Sequence, residues 1–170
     1  MILFQTERLT VRHYTKDDSH HFFLLNGDEE IMRYIRPVKS RKQCDEYLAE
    51  IIEQYQQHPG EGRWAVADKQ TNEFIGSFAF IPIENTDKMQ LGYSLLKQNW
   101  GKGYATELTL AGLKYVFTKT PLTEIFGVTE TPNVVSQKVL LKAGFTLQDI
   151  FNEGDKQLLR FVYFKKDFRI

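Results

Sequence analysis

Apolar and polar positions change period repeatedly along the chain, and each change marks an element. Residues 9–13 alternate as an edge strand does, and Asp17-Asp18 introduce a short helix through Asn26 in which Phe22, Phe23 and Leu25 supply apolar surface. Ser40 is a helix-capping residue type. After it Cys44, Tyr47, Leu48, Ile51, Ile52 and Tyr55 recur at the three-and-four spacing of one helical face, and His58-Pro59-Gly60 stops the run. The period then falls to two, so that 64–67, 74–83 and 89–96 read as three strands of an antiparallel meander, joined by turns at 68–73 and 84–88. Tyr104, Leu108, Ala111, Tyr115 and Val116 trace a second helical stripe, which Thr118-Lys119-Thr120-Pro121 ends. A strand over 124–129, a helix over 133–143 and a hairpin pairing 145–152 with 157–164 around Glu153-Gly154-Asp155 complete the pattern. Strands bracket helices throughout, which predicts one α+β domain over residues 1–170 with a mixed sheet.

Composition removes several function classes. With 170 residues and 42% apolar content, a single buried core is affordable and no second domain is required. The 22 basic and 22 acidic side chains cancel, so no whole-molecule field steers the protein to nucleic acid or an anionic membrane. The only cysteine, Cys44, excludes an internal disulfide, and the chain opens without a basic-then-apolar signal segment; both predict a cytoplasmic protein. Cys44 lies on the apolar helical face and reads as a buried structural thiol. No run of residues approaches the length of a membrane span. His13, His20, His21 and His58 form no ligand pattern, and no metal site is expected.

Chemistry concentrates at Gln98-Asn99-Trp100-Gly101-Lys102-Gly103-Tyr104-Ala105-Thr106-Glu107, a glycine turn between an apolar strand and an amphipathic helix. The first N–H groups of a helix lack intrahelical partners and carry the positive end of its dipole, so such a turn suits an anion, phosphate above all. Gly101 and Gly103 permit positive φ and bring no Cβ between backbone and ligand. A Walker loop would require Gly-Lys followed by Ser or Thr, whereas Lys102 is followed by Gly103. A dinucleotide fingerprint would require a small residue at Thr106 and an acid nearer than Glu130.

The remaining pattern, Gln-x-x-Gly-x-Gly-Tyr-Ala-x-Glu behind the strand at 90–96, resembles the acyl-CoA pyrophosphate loop of GNAT N-acetyltransferases. A second segment, residues 128–145, matches the next signature of that family in order and spacing: Asn133 and Ser136 open a helix that ends at Lys142-x-Gly144-Phe145. The opening Thr6-Glu7-Arg8-Leu9-Thr10-Val11-Arg12, with residues 29–34, is similar to the branch containing the ribosomal-protein alanine N-acetyltransferases. The resemblance covers essentially the whole chain. It implies an α+β GNAT fold: a mixed, mostly antiparallel central sheet flanked by helices, with splayed strands forming an acyl-CoA cleft.

It also implies acetyl-CoA as cosubstrate, an amine acceptor and no metal, with Gln98, Asn99, Trp100, Gly101, Lys102, Gly103, Tyr104 and Ala105 at the pyrophosphate. Tyr93, Ser94 and Leu95 would offer open backbone groups to the pantetheine arm, and Asn133 and Ser136 would lie near it. The uncharged amine would attack the thioester directly, with the N–H of Leu91 or a neighbour facing the oxyanion. Two positions depart from the family. Leu140 stands where many members carry a Tyr that protonates the departing thiolate, which leaves Ser136 as substitute or as an ordinary first-turn polar residue. Gln90 stands where a carboxylate often assists the amine, which leaves Glu84 and Glu130 as bases through water, or as solvated acids of a turn and a strand end. Asn133 is equally explained as a helix cap, and Trp100 by packing against the cofactor edge or a neighbouring loop.

The resemblance implies that the acceptor would be a primary amine, of a protein N-terminus or a small molecule, brought by the early helices and closing hairpin. Arg33, Arg36, Lys39, Arg41 and Lys42 either guide an acidic acceptor or form a solvated basic face. The reading expects neither membrane nor nucleic acid as partner and admits a homodimer. The competing reading is a non-catalytic acyl-CoA-binding sensor or interaction module, motivated by Leu140 and Gln90.

Overall fold

The computed structural model describes residues 1–170. Eight strands, β1 (Ile2–Gln5), β2 (Leu9–Arg12), β3 (Gly62–Asp68), β4 (Phe74–Pro82), β5 (Met89–Leu95), β6 (Glu124–Glu130), β7 (Thr146–Glu153) and β8 (Lys156–Phe164), form one mostly antiparallel sheet in the order β1-β2-β3-β4-β5-β6-β8-β7. The helices are α1 (Ser19–Asn26), α2 (Glu29–Met32), α3 (Arg41–Gln54), α4 (Tyr104–Lys119) and α5 (Val134–Ala143). The α+β class with a mixed sheet is therefore observed. One expectation changes: the strand at residues 9–12 is not an edge, because β1 pairs outside it, with Phe4 opposite Val11.

The chain groups into two compact units. The first comprises Met1–Ala79 and Tyr93–Tyr104. Its core includes Leu9, Tyr14, Phe22, Leu25, Trp64 and Phe78, and Phe4 meets the rings of Trp64 and Phe78 edge-on. Helix α3 begins in a reciprocal cap: Ser40 Oγ accepts from the Gln43 N–H while Gln43 Oε1 accepts from the Ser40 N–H. Its buried stripe is Cys44, Leu48 and Ile51, the face that the spacing predicts. Cys44 is 0% exposed and burial pushes its thiol up, so it is structural in this fold as expected.

The second unit comprises Phe80–Gly92 and Ala105–Ile170. Strands β6, β8 and β7 run antiparallel, from Glu124↔Phe164 to Glu130↔Leu158 and from Thr146↔Val162 to Glu153↔Lys156. Ile83, Phe126 and Val162 pack together, with Val128 beside them. Helix α5 ends at Gly144, whose φ of +102° places it in the left-handed region; the Gly144 and Phe145 N–H groups then bond back to Leu141 and Leu140 carbonyls.

A partly buried ion pair in the first unit fixes the exit from β2. Arg12 donates through Nη1 and Nη2 to both Asp18 oxygens at 2.8 Å, and the Thr15 N–H adds a third bond at 2.8 Å. Burial opposes ionisation of Asp18, but Arg12 and the Thr15 N–H outweigh it and hold the carboxyl below its usual range. A depressed folded value makes this stabilisation complete above the unfolded-chain value of about 3.9 and lost as pH falls through the folded one. Asp18→Asn should cost about 2 kcal/mol near neutral pH. In urea titrations its deficit relative to wild type should shrink steadily once pH drops below about 4.

Candidate functional site

The glycine turn is built from the β4 side inward. The Ile75 carbonyl accepts two bonds, from the Leu96 N–H at 3.0 Å and from Asn99 Nδ2 at 3.3 Å. Next to it, a Cβ on Gly76 would lie 2.2 Å from the Ser94 carbonyl oxygen, so only glycine allows β4 this close to β5. Trp100 Nε1 donates to the Leu95 carbonyl at 2.9 Å, which gives the half-exposed indole a definite role in pinning the turn to its strand. A single 3-10 turn at Lys97–Asn99 then leads to Gly101 at φ +72° and Gly103 at φ +80°, and α4 begins at Tyr104.

Both glycines are demanded by backbone conformation. A Cβ on Gly101 would meet no atom within 4 Å, so crowding does not explain it; the positive φ does. The same openness leaves room for a diphosphate against the turn, and the helix start that follows supplies dipole and N–H groups. The residues fit the phosphate of an acyl-CoA. Tyr93, Ser94, Leu95, Gln98, Asn99, Trp100, Gly101, Lys102, Gly103 and Tyr104 fall within the first compact unit; Ala105, Asn133, Ser136, Glu84 and Glu130 fall within the second. Gln98 and Lys102 are exposed, while Asn99 is buried with its amide turned toward Ile75. Lys97, just before the turn, bridges Asp28 at 3.0 Å and Glu30 at 3.3 Å, and Asp28 in turn caps α2.

In the second unit, β5 and β6 run parallel and share register at Gln90↔Phe126 alone. Residues 127–130 of β6 thus continue past the pairing point. The side of β6 carrying Gly127 faces α5: a Cβ there would come within 2.6 Å of Leu140 Cδ2. Leu140 is buried in this contact and brings no hydroxyl to the strand. Asn133 caps α5, accepting from the Ser136 N–H at 3.3 Å, and Ser136 is half-buried on the first turn. Gln137 Nε2 donates to the Glu130 and Thr131 carbonyls, and Thr131 bonds to the Gln157 carbonyl, which closes the β6–α5 connection.

Of the two acids anticipated as bases, Glu84 lies in the turn between β4 and β5 and Glu130 at the end of β6. Glu84 is exposed in the turn closed by the Ile83 N–H to Lys88 carbonyl bond, and Lys88 pairs with Glu124, the first residue of β6, at 3.3 Å. Glu130 is the last residue of the strand and pairs with Lys156 at 3.5 Å. Six residue steps of strand separate Glu124 from Glu130, about 20 Å, so Glu130 and the turn that carries Glu84 do not converge on one group. Among the basic side chains of the early helices, Arg41 and Lys42 make i,i+4 pairs with Asp45 and Glu46, and Arg36 donates to Asn26 Oδ1 at 2.8 Å.

Sequence reading missed Thr129. It is 6% exposed, two residues past Gly127 on the same side of β6, and its Oγ1 is buried without a hydrogen-bond partner. A threonine in a strand is ordinary, so nothing in the sequence marks it; only the missing partner does. No group of three or more His, Cys, Asp or Glu side chains is placed to hold a metal, and no helix is long and apolar enough to cross a membrane.

Residues 8–146 match the family model described as acetyltransferase (GNAT) domain. Among curated proteins the chain is 27% identical over 154 residues to the uncharacterized N-acetyltransferase YoaA of Bacillus subtilis, covering 89% of this chain and 86% of that one. Among solved structures it is similar to a GNAT-family acetyltransferase from Bacillus anthracis, with TM-score 0.85, 21% identity and coverage of 98% and 100%. It is also similar in fold to a RimL ribosomal alpha-N-protein acetyltransferase solved with coenzyme A, with TM-score 0.79, 15% identity and coverage of 96% and 98%.

Thr129→Val replaces the unpartnered hydroxyl with a methyl of the same shape. The ligand-free variant should be more stable than wild type by about 1 kcal/mol, read as a raised thermal midpoint. A lowered midpoint would mean that the hydroxyl is already satisfied.

Proposed function

This chain belongs to the GNAT acetyltransferase domain family, and from that premise we propose that it moves an acetyl group from acetyl-CoA to a primary amine by direct attack within a ternary complex. The observation that carries this reading is the turn between β5 and α4: two positive-φ glycines, an open Cβ side at Gly101 and a helix start directly behind. In this reading the turn receives the diphosphate. The backbone of Tyr93 and Ser94 receives the pantetheine amides, since the Leu95 carbonyl already accepts from Trp100.

The chemistry asks little of side chains. The amine nitrogen bonds to the thioester carbonyl carbon, a backbone N–H at Leu91 or its neighbour steadies the oxyanion, and the C–S bond then breaks. The departing thiolate takes a proton or a hydrogen bond, a task we assign to Ser136 in the absence of a Tyr at Leu140. The amine loses its proton to solvent-connected groups; Glu130 lies on the β6–α5 side of the fold, and Glu84 in the turn between β4 and β5. The acceptor class is a protein N-terminus or a small amine, and the RimL neighbour's acceptor, an alpha-amine of a ribosomal protein, supports including the first. The single cysteine, buried and unpaired with any other, supports a cytoplasmic setting.

The Leu140–Gly127 contact favours one other reading, a coenzyme A-binding module without catalysis, because it fills the place of a general acid with packing. Ser136→Ala separates the two. We expect thiol release on an amine panel to fall at least tenfold while coenzyme A affinity, measured by calorimetry, is retained. Unchanged turnover would remove Ser136 from the mechanism; wild-type binding without turnover on any amine would support the module.

A further inference from the structure

The Thr6–Leu9 segment has no part in the transfer just described, yet its Arg8 reaches the glycine turn 94 residues away. Arg8 Nη1 donates to the Lys102 carbonyl oxygen at 2.9 Å. Its guanidinium carbon lies 4.4 Å from the Tyr104 ring centroid, and its Nη2 lies 3.5 Å from where a Cβ on Gly103 would sit. One side chain therefore bonds to Lys102, covers the ring of Tyr104 and passes beside Gly103 between them. Its base is rigid: the Thr6 N–H bonds to the Leu9 carbonyl, the Leu9 N–H to Thr6 Oγ1, and the Lys69 N–H to the Arg8 carbonyl, all at 2.8–2.9 Å.

The Lys102–Gly103 peptide adjoins a glycine and is readily rotated. Its plane turns about ψ of Lys102 and φ of Gly103, and glycine at 103 opposes that rotation with no Cβ. In a trans peptide the carbonyl and the following N–H point in opposite directions. Holding the Lys102 carbonyl toward Arg8 therefore directs the Gly103 N–H to the other side of the turn.

We infer that Arg8 is a positioning residue for the cofactor diphosphate, pinning the Lys102–Gly103 peptide so that the Gly103 N–H faces the anion. This rests on the reading that the turn receives the diphosphate of acetyl-CoA. The planar fork is essential to it, because one group must both donate to a carbonyl and lie over an aromatic face; a lysine ammonium keeps the charge but not that geometry.

Coenzyme A titrated calorimetrically into wild type, Arg8→Met and Arg8→Lys tests the inference without needing turnover. Arg8 is exposed, so both variants should fold with unchanged thermal midpoints. We expect affinity to fall on the order of tenfold in Arg8→Met, with Arg8→Lys recovering only part of the loss. With an acetylated amine in hand, the ratio of kcat/KM for acetyl-CoA to that for S-acetylpantetheine, which lacks the diphosphate, should fall by the same factor, carried by KM. Unchanged coenzyme A affinity in Arg8→Met, full recovery by Arg8→Lys, or equal losses with both donors would overturn it. Failure to acetylate any amine while coenzyme A binds would sink the proposed activity and leave the calorimetric comparison standing. A wild-type chain that binds no coenzyme A would overturn both.

Discussion

One backbone carbonyl, that of Ile75, holds the candidate site in shape. It accepts the Leu96 N–H as β5 ends and the Asn99 amide as the turn begins, so strand and turn leave from a common anchor. The glycine beside it lets β4 and β5 approach within a distance that no side chain would tolerate. Everything downstream, from the indole of Trp100 on Leu95 to the left-handed glycines, follows from a chain that must reverse from strand to helix in a few residues while its polar groups stay satisfied. The first N–H groups of the helix that follows have no intrahelical partner, which is why the proposed diphosphate is placed there.

The β6–α5 region shows a different balance. Packing is favoured where Leu140 lies against Gly127, and a polar group is left unanswered two residues further on at Thr129. Buried hydroxyls are ordinarily bonded, so the Thr129 hydroxyl stands out against the packed Leu140–Gly127 contact beside it. The cap of α5 uses Asn133 fully at the backbone, so one residue serves both to start the helix and to border the open end of β6.

Much of this was legible from residue order, for physical reasons that differ by element. Helix α3 was visible because its stripe and cap are both local, Ser40 and Gln43 three residues apart and Cys44, Leu48 and Ile51 on one face. The glycine turn was visible because positive φ selects a residue type. Strand β1 and helix α2 were not, since Ile2-Leu3-Phe4-Gln5 does not alternate and Glu29–Met32 is barely one helical turn. Arg8 and Thr129 were invisible for a deeper reason: the contact of the first spans most of the chain, and the second is notable only for a partner it lacks. Glu84 sits in the turn whose Lys88 reaches the first residue of β6, while Glu130 is the last residue of that strand, a separation that residue spacing alone does not reveal.

The burial of Cys44 has a practical side. The native chain carries one sulfhydryl, sealed on the inward face of α3, and so stays silent toward a thiol-reactive dye. Colour that develops in a mixture of folded protein, acetyl-CoA and amine then comes from liberated coenzyme A, with no protein background to subtract. The same dye added under denaturing conditions turns that lone sulfur into a clock for global opening.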